Sequence, residues 1–122
     1  MDTKKYKWDV YSENCPTRLV LDRIGDKWTV LIVGRLKTGA IRFNELKRLI
    51  PGITQKMLTQ TLKALERDGI VKRKIYPVIP PKVEYSLTKS GKSLIMLLNQ
   101  LGEWAQNNIE AILMAQQNYA KK

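Results

Sequence analysis

A proline-glycine pair, Pro51-Gly52, separates two short segments that both have the apolar spacing of an amphipathic helix. Asn44 stands where it would cap the first helix, and Thr54 stands where it would cap the second, which ends at Gly69. Glycine commonly follows the last residue of a helix. The pattern therefore predicts two helices joined by a tight turn, a helix-turn-helix, over about residues 44–68.

Two β-prone runs follow this pair of helices, and they predict a β-hairpin over about residues 71–87. The runs are Val71–Tyr76 and Val83–Leu87, and the second alternates apolar with polar residues. The five residues 77–81 between them include three prolines, which cannot extend a regular ladder, so the hairpin needs an open and stiff tip. Residues 41–43 are long enough only for an edge strand.

The remaining segments predict three more helices. Residues 14–16 begin a short helix that Gly25 interrupts, and Asp26 caps the next one. Thr88 caps a long helix, residues 89–118, whose apolar residues recur three and four positions apart. We therefore expect an α+β fold that is mostly α-helical, with a winged helix-turn-helix, a two-stranded wing and a long C-terminal helix.

Composition indicates one domain and argues against several classes of protein. A chain of 122 residues that is 43% hydrophobic suits a single domain over residues 1–122. No apolar run approaches the ~18 residues that span a bilayer, and Met1–Trp8 lacks a signal sequence, so we expect a cytoplasmic protein. One cysteine and no histidine leave no intrachain disulfide, zinc site or histidine catalysis to expect. No cofactor and no enzyme activity are predicted.

The charge is unevenly distributed along the chain. The net charge is +11, and residues 42–92 hold twelve basic and four acidic residues, which is +8 of that total. Residues 93–120 contain no lysine or arginine. The central segment therefore favours an anionic polymer as partner, whereas the C-terminal segment favours an apolar one.

The second helix of the pair has one apolar and one polar face. At about 100° per residue, the apolar face gathers Met57, Leu58, Thr61, Leu62, Ala64 and Leu65, which we expect to be buried. The polar face carries Gln55, Lys56, Thr59, Gln60 and Lys63. Glutamine can pair with an adenine edge, lysine with guanine, and a threonine methyl with the thymine methyl, so this face suits the major groove of DNA. An ordinary solvated helix face is the alternative.

The hairpin adds positive charge beside that helix. Lys72, Arg73 and Lys74 approach its tip, and Lys82 leaves it. The predicted DNA-binding residues among them are Arg73, Lys74 and Lys82. These side chains can lie along a phosphate backbone or a minor groove. They also suit protection of an edge strand against aggregation, and the same charge would serve an architectural protein that coats DNA without reading it.

Six short motifs resemble the HxlR family of bacterial transcription regulators over about residues 12–113. The motifs are Asn14-Cys15-Pro16, Gly25-Asp26-Lys27-Trp28, Arg42-Phe43-Asn44-Glu45-Leu46, the run Ile50–Leu58, Leu65-Glu66-Arg67-Asp68-Gly69 and the run Tyr85–Gly91. The resemblance implies a MarR-like homodimeric repressor that binds an inverted-repeat operator in double-stranded DNA. It assigns recognition to the polar face just described and phosphate contacts to the wing.

The resemblance also implies dimerisation through residues 6–24 and 89–118. The predicted interface residues on the last helix are Leu101, Trp104, Ile109 and Ile112. The alternative is that this helix packs only on its own domain. Aromatic effectors are a further expectation, with a pocket lined by Trp28, Leu101 and Trp104, although such side chains more often belong to a core.

Cys15 stands just before Pro16 at a predicted helix start, where backbone dipoles and Arg18 would stabilise a thiolate. Members of the family that resemble this chain use a cysteine here to sense oxidants, quinones or aldehydes. Cys15 is therefore a candidate sensor of small electrophiles. The alternative is a small buried side chain without redox function.

Overall fold

The computed structural model describes residues 7–121. Along these residues the elements are α1 Thr17–Ile24, α2 Lys27–Leu36, β1 Ile41–Arg42, α3 Phe43–Leu49, α4 Gln55–Arg67, β2 Val71–Tyr76, β3 Lys82–Leu87 and α5 Lys89–Ala120. The predicted α+β fold, mostly α-helical, is confirmed. None of the helices described is both long and apolar enough to cross a membrane.

The core lies between α2, α4 and the sheet. Leu58, Leu62 and Leu65 of α4 are fully buried in the same cluster as Ile32 and Leu36 of α2. Burying such a side chain contributes about 1.5–3 kcal/mol. The predicted buried face of α4 is confirmed in five of its six positions, but Met57 is only half-buried, because it packs at the edge of the cluster.

The start of α3 differs from the prediction. The helix begins at Phe43, and no side chain caps it, so the predictions of Asn44 as its cap and of Phe43 as a strand residue are wrong. The reason is that Ile41 and Arg42 pair with β3, opposite Tyr85 and Glu84, and the chain turns directly from this short strand into the helix.

The sheet has three antiparallel strands in the order β1-β3-β2. The predicted hairpin of β2 and β3 is present, with its register running from Val71 opposite Leu87 to Tyr76 opposite Lys82. Because β3 is the central strand, Glu84 is half-buried like its apolar neighbours, and the alternation of exposure along β3 is weaker than predicted. The two-stranded wing therefore extends a sheet whose third strand is β1.

The start of α5 is fixed against the end of α4. As predicted, Thr88 caps α5, and its Oγ1 accepts a hydrogen bond from the Gly91 N–H at 3.1 Å. The same hydroxyl donates to the Gly69 carbonyl at 2.5 Å, and the Thr88 N–H donates to the Ile70 carbonyl at 3.0 Å. A Cβ on Gly91 would lie 2.2 Å from the Ile70 oxygen. Only glycine allows this close approach of helix and backbone.

Replacing Gly91 with alanine should therefore destabilise the protein. Because the clash is with a backbone atom, we expect Gly91→Ala to lower the free energy of unfolding by roughly 1–3 kcal/mol, measured by urea denaturation. Gly34→Ala is the matched control, since no atom lies within 4 Å of its added Cβ. The control should be as stable as the unchanged protein or more so. Equal stability of the two variants would contradict this account of the junction.

Candidate nucleic-acid interface

The turn between α3 and α4 determines how α4 begins. Gly52 has a φ of +91°, a conformation that favours glycine, and Ile50 and Ile53 on either side of the turn are buried. Thr54 caps α4 as predicted, since its Oγ1 accepts a hydrogen bond from the Met57 N–H at 3.0 Å. The buried isoleucines anchor the turn, and the first turn of α4 is left facing solvent.

The five predicted side chains of α4 share the face that points away from the core. Gln55, Lys56, Gln60 and Lys63 are exposed, and Thr59 is half-buried. Neither Lys56 nor Lys63 forms an ion pair with a residue that the structure describes. Amide and ammonium groups on an exposed helix face can donate hydrogen bonds to base edges or to phosphates.

The wing has two faces, and the register separates the cations on them. Val71 and Leu87 are buried opposite each other, so Arg73, two residues along, lies on the same inner face and stands opposite Tyr85. The Arg73 Nε is 3.7 Å from the Glu66 Oε2 of α4. Arg73 therefore lies near Glu66 of α4, but its side chain is 45% exposed, so its predicted contact with DNA stays a prediction.

Lys74 lies on the outer face of the wing. Its Nζ is 4.8 Å from the centre of the Tyr76 ring, and the Tyr76 hydroxyl donates a hydrogen bond to the Glu84 Oε2 at 3.2 Å. Lys82 is exposed and stands opposite Tyr76 in the hairpin register. The ring contact orients Lys74 while leaving the side chain exposed.

Lys72 was counted in the charge of the wing but not among the predicted DNA-binding residues. It is exposed and precedes Lys74 by two residues in β2, so both side chains belong to the outer face. The period-two spacing of a strand was the signal that could have identified it. We call Lys72, Lys74 and Lys82 the outer-wing lysines.

Cys15 is buried, with 9% of its surface exposed, and it precedes α1. Its Sγ lies 3.0 Å from the Thr17 hydroxyl, and this hydrogen bond lowers the pKa of the Cys15 thiol from its ordinary value, against the opposing effect of burial. Arg18 is not among the groups that lower this pKa, and its guanidinium donates to the carbonyls of Val10 and Tyr11. Thr17, which the sequence reasoning missed, is the group that favours the thiolate.

An ion pair connects α1 with the end of α4. The Arg23 Nε lies 2.6 Å from the Asp68 Oδ2, and both side chains are about one-third exposed. The two residues are 45 positions apart in the chain, so no local sequence pattern predicts this contact.

The apolar side chains predicted for a dimer interface are exposed in the single chain. Leu101, Trp104, Ile109 and Ile112 all reach solvent, and Trp104 is 59% exposed. Leu19 and Val20 of α1 are exposed as well. Residue 6 of the predicted dimerisation segment 6–24 lies outside the described residues.

Two clefts lie close to α1, α2 and α5, where an effector pocket was predicted. One cleft of about 620 Å³ lies between α1, the end of α4 and the start of α5, and another lies between α2 and α5. Neither cleft is lined by Trp28, Leu101 or Trp104. Trp28 packs against the core instead, and the other two side chains are exposed on α5.

Comparisons with known proteins agree with this arrangement of helices and wing. The family model described as HxlR-like helix-turn-helix matches residues 23–113. The HTH-type transcriptional regulator YybR of Bacillus subtilis, which is uncharacterised, is 46% identical over 100 residues, covering 82% of this chain and 80% of YybR.

Two solved structures are similar to this chain in both fold and sequence. A transcriptional regulator, YtfH of Salmonella typhimurium, superposes with a TM-score of 0.82 at 40% identity over 91% of this chain and 99% of that one. The redox regulator HypR in its reduced form superposes with a TM-score of 0.74 at 44% identity over 81% of this chain and 98% of HypR. The chain therefore belongs to the HxlR family of helix-turn-helix transcriptional regulators.

Proposed function

We propose that this regulator is a homodimeric repressor that reads an inverted-repeat operator in double-stranded DNA. The observation that carries the proposal is the exposed amide-rich and basic face of α4, with the outer-wing lysines on the adjoining hairpin. A helix of this kind fits the major groove, and the lysines are placed to neutralise neighbouring phosphates. Binding over a promoter blocks transcription from it.

The proposal gives different roles to the side chains of the site. Gln55, Thr59 and Gln60 read base edges, and the lysines of α4 contact guanine or phosphate. The outer-wing lysines bind phosphates without regard to sequence. Arg73 positions the wing on α4 through Glu66.

Dimerisation is proposed through α1 and α5. The C-terminal half of α5 carries exposed apolar residues and no basic ones, which suits burial against a second copy. A two-fold dimer presents two α4 helices, and their half-sites lie about one helical turn of DNA, 34–36 Å, or a multiple of it apart.

An electrophile response through Cys15 completes the proposal. The hydrogen bond with Thr17 favours the thiolate, which is the nucleophilic form of cysteine. HypR, a relative of known structure, is a redox regulator. A thiolate that adds to an activated double bond forms a carbon–sulfur bond at the start of α1, beside the proposed interface.

Replacing one apolar side chain of α5 with a charged one should separate the dimer. We expect Trp104→Glu to elute as a monomer in size-exclusion chromatography with light scattering, because a buried charge opposes association. The control is Ile75→Glu, which places the same charge at an exposed apolar position of the wing. A monomeric unchanged protein would overturn the proposed dimer.

Gln60→Ala and Lys74→Ala should weaken DNA binding in different ways. With a duplex that the protein selects from a random pool, Gln60→Ala should lose about 1–3 kcal/mol on the selected site and little on random DNA. Lys74→Ala should weaken all duplexes alike and reduce the slope of log K against log salt by about one. Fluorescence anisotropy at several salt concentrations measures both effects.

The same titration tests the competing function. If the unchanged protein binds selected and random duplexes within a few-fold of each other, it is a nonspecific or architectural DNA-binding protein, and the regulator proposal fails. Equal losses for Gln60→Ala on both duplexes would remove Gln60 from the reading face.

Thr17→Val should make Cys15 less reactive. Because the hydrogen bond with Thr17 lowers the thiol pKa, its loss should move the midpoint of the maleimide rate against pH upward, whereas Thr17→Ser should keep it. Alkylation should also weaken binding to the selected duplex in the unchanged protein and leave Cys15→Ser unaffected. If both proteins lose DNA equally on treatment, Cys15 is not the sensor.

A further inference from the structure

The tip of the wing holds an apolar side chain with no contacts that favour folding. Ile79 is 101% exposed, as much as in an extended peptide, and its neighbour Val78 is 45% exposed. Burial of apolar surface is the main contribution that isoleucine makes to stability, and Ile79 makes none here. Any contact that buries this side chain must therefore come from a partner.

The tip is stiff and its surroundings are positively charged. Pro77 precedes Val78, and Pro80 and Pro81 follow Ile79, so three residues of the loop have a restricted φ. The restriction lowers the entropic cost of placing Ile79 in a partner.

Cations surround this stiff segment on both sides. Lys82 immediately follows the prolines, and exposed Arg42 lines a cleft between the tip and the start of α3. The nearby carboxylates already have partners, because Glu45 pairs with Arg48 and Glu84 accepts the Tyr76 hydroxyl. An apolar tip among cations suits a polyanion that has an apolar interior, rather than an apolar protein surface.

Double-stranded DNA has this combination of properties. Its minor groove is lined by sugars and base edges between two rows of phosphates. Some proteins insert isoleucine or proline side chains there, which partly unstacks adjacent base pairs. We infer that Ile79 enters the minor groove beside each half-site, with Lys82 and Arg42 on the flanking phosphates. The inference rests on the proposed function and adds a second mode of reading to it.

Entry of Ile79 has a consequence for sequence preference. Pyrimidine–purine steps are easily kinked or unstacked, whereas A-tracts are stiff. The operator should therefore favour flexible steps where the tip enters, although no hydrogen bond reads them. Specificity at these positions comes from the cost of deforming the DNA.

The test combines a protein change with a DNA change. Ile79→Ala should bind the selected duplex about five- to tenfold more weakly than the unchanged protein when flexible TA or CA steps flank the half-sites. Replacing those steps with A-tracts should weaken the unchanged protein and have little effect on Ile79→Ala. The matched control is Ile75→Ala, an exposed isoleucine of β2 below the tip, which should behave like the unchanged protein on both duplexes.

The possible results of this experiment distinguish a loss of fold, a failure of the inference and a failure of the proposed function. Because Ile79 makes no folding contact, Ile79→Ala should keep the melting temperature, so a loss of binding is not a loss of fold. If Ile79→Ala equals the unchanged protein on every duplex, or weakens all duplexes by the same factor, the inference is overturned while the proposed function stands. If the unchanged protein shows no preference for its selected duplex, the proposed function itself fails.

Discussion

The burial of the apolar side of α4 against α2 determines which side of that helix remains for a partner. Leu58, Leu62 and Leu65 are three or four residues apart, so they form one stripe that the core removes from water. A rotation of the helix that exposed this stripe would lose that burial and would also bury Lys56 or Lys63. Burying an unpaired charge is strongly unfavourable. The polar face is therefore presented outward as a consequence of the core.

The wing depends on the same helix through its base. Gly69 ends α4, Val71 enters the core directly afterwards, and Thr88 closes the hairpin by bonding the backbone of residues 69 and 70. The base of the wing thus lies at the end of α4, where β2 begins and β3 ends. The outer-wing lysines are carried on the hairpin that this base holds.

The parts of the fold that could be predicted from sequence are those specified by local chemistry. Some residues act on their immediate neighbours in the chain, so single residues predicted the ends of helices and the tip of the wing. They are the caps Thr54 and Thr88, the glycine after α4 and the prolines of the wing. The five side chains on the polar face of α4 followed from helical spacing alone. Their exposure is seen in the structure, whereas their contact with DNA stays a prediction.

The remaining features required partners that are distant in the chain. Arg73 faces α4 because β2 pairs with β3 in one register, and a list of basic residues in the wing contains no such information. Asn44 does not cap α3, because pairing of β1 with a strand about 40 residues later sets where that helix starts. The lining of the clefts likewise depended on how α1 and α5 pack.

Helix α1 is held to the rest of the described fold by few contacts. None of its residues is buried, and its leucines reach solvent, so few contacts with its own chain hold it. What does hold it is packing on α2 and the ion pair of Arg23 with Asp68 at the end of α4. A second copy that covered the leucines would stabilise α1 and, through that ion pair, the end of α4. Cys15 precedes the other end of α1, so in the proposed function dimerisation and modification of Cys15 would both act on this helix.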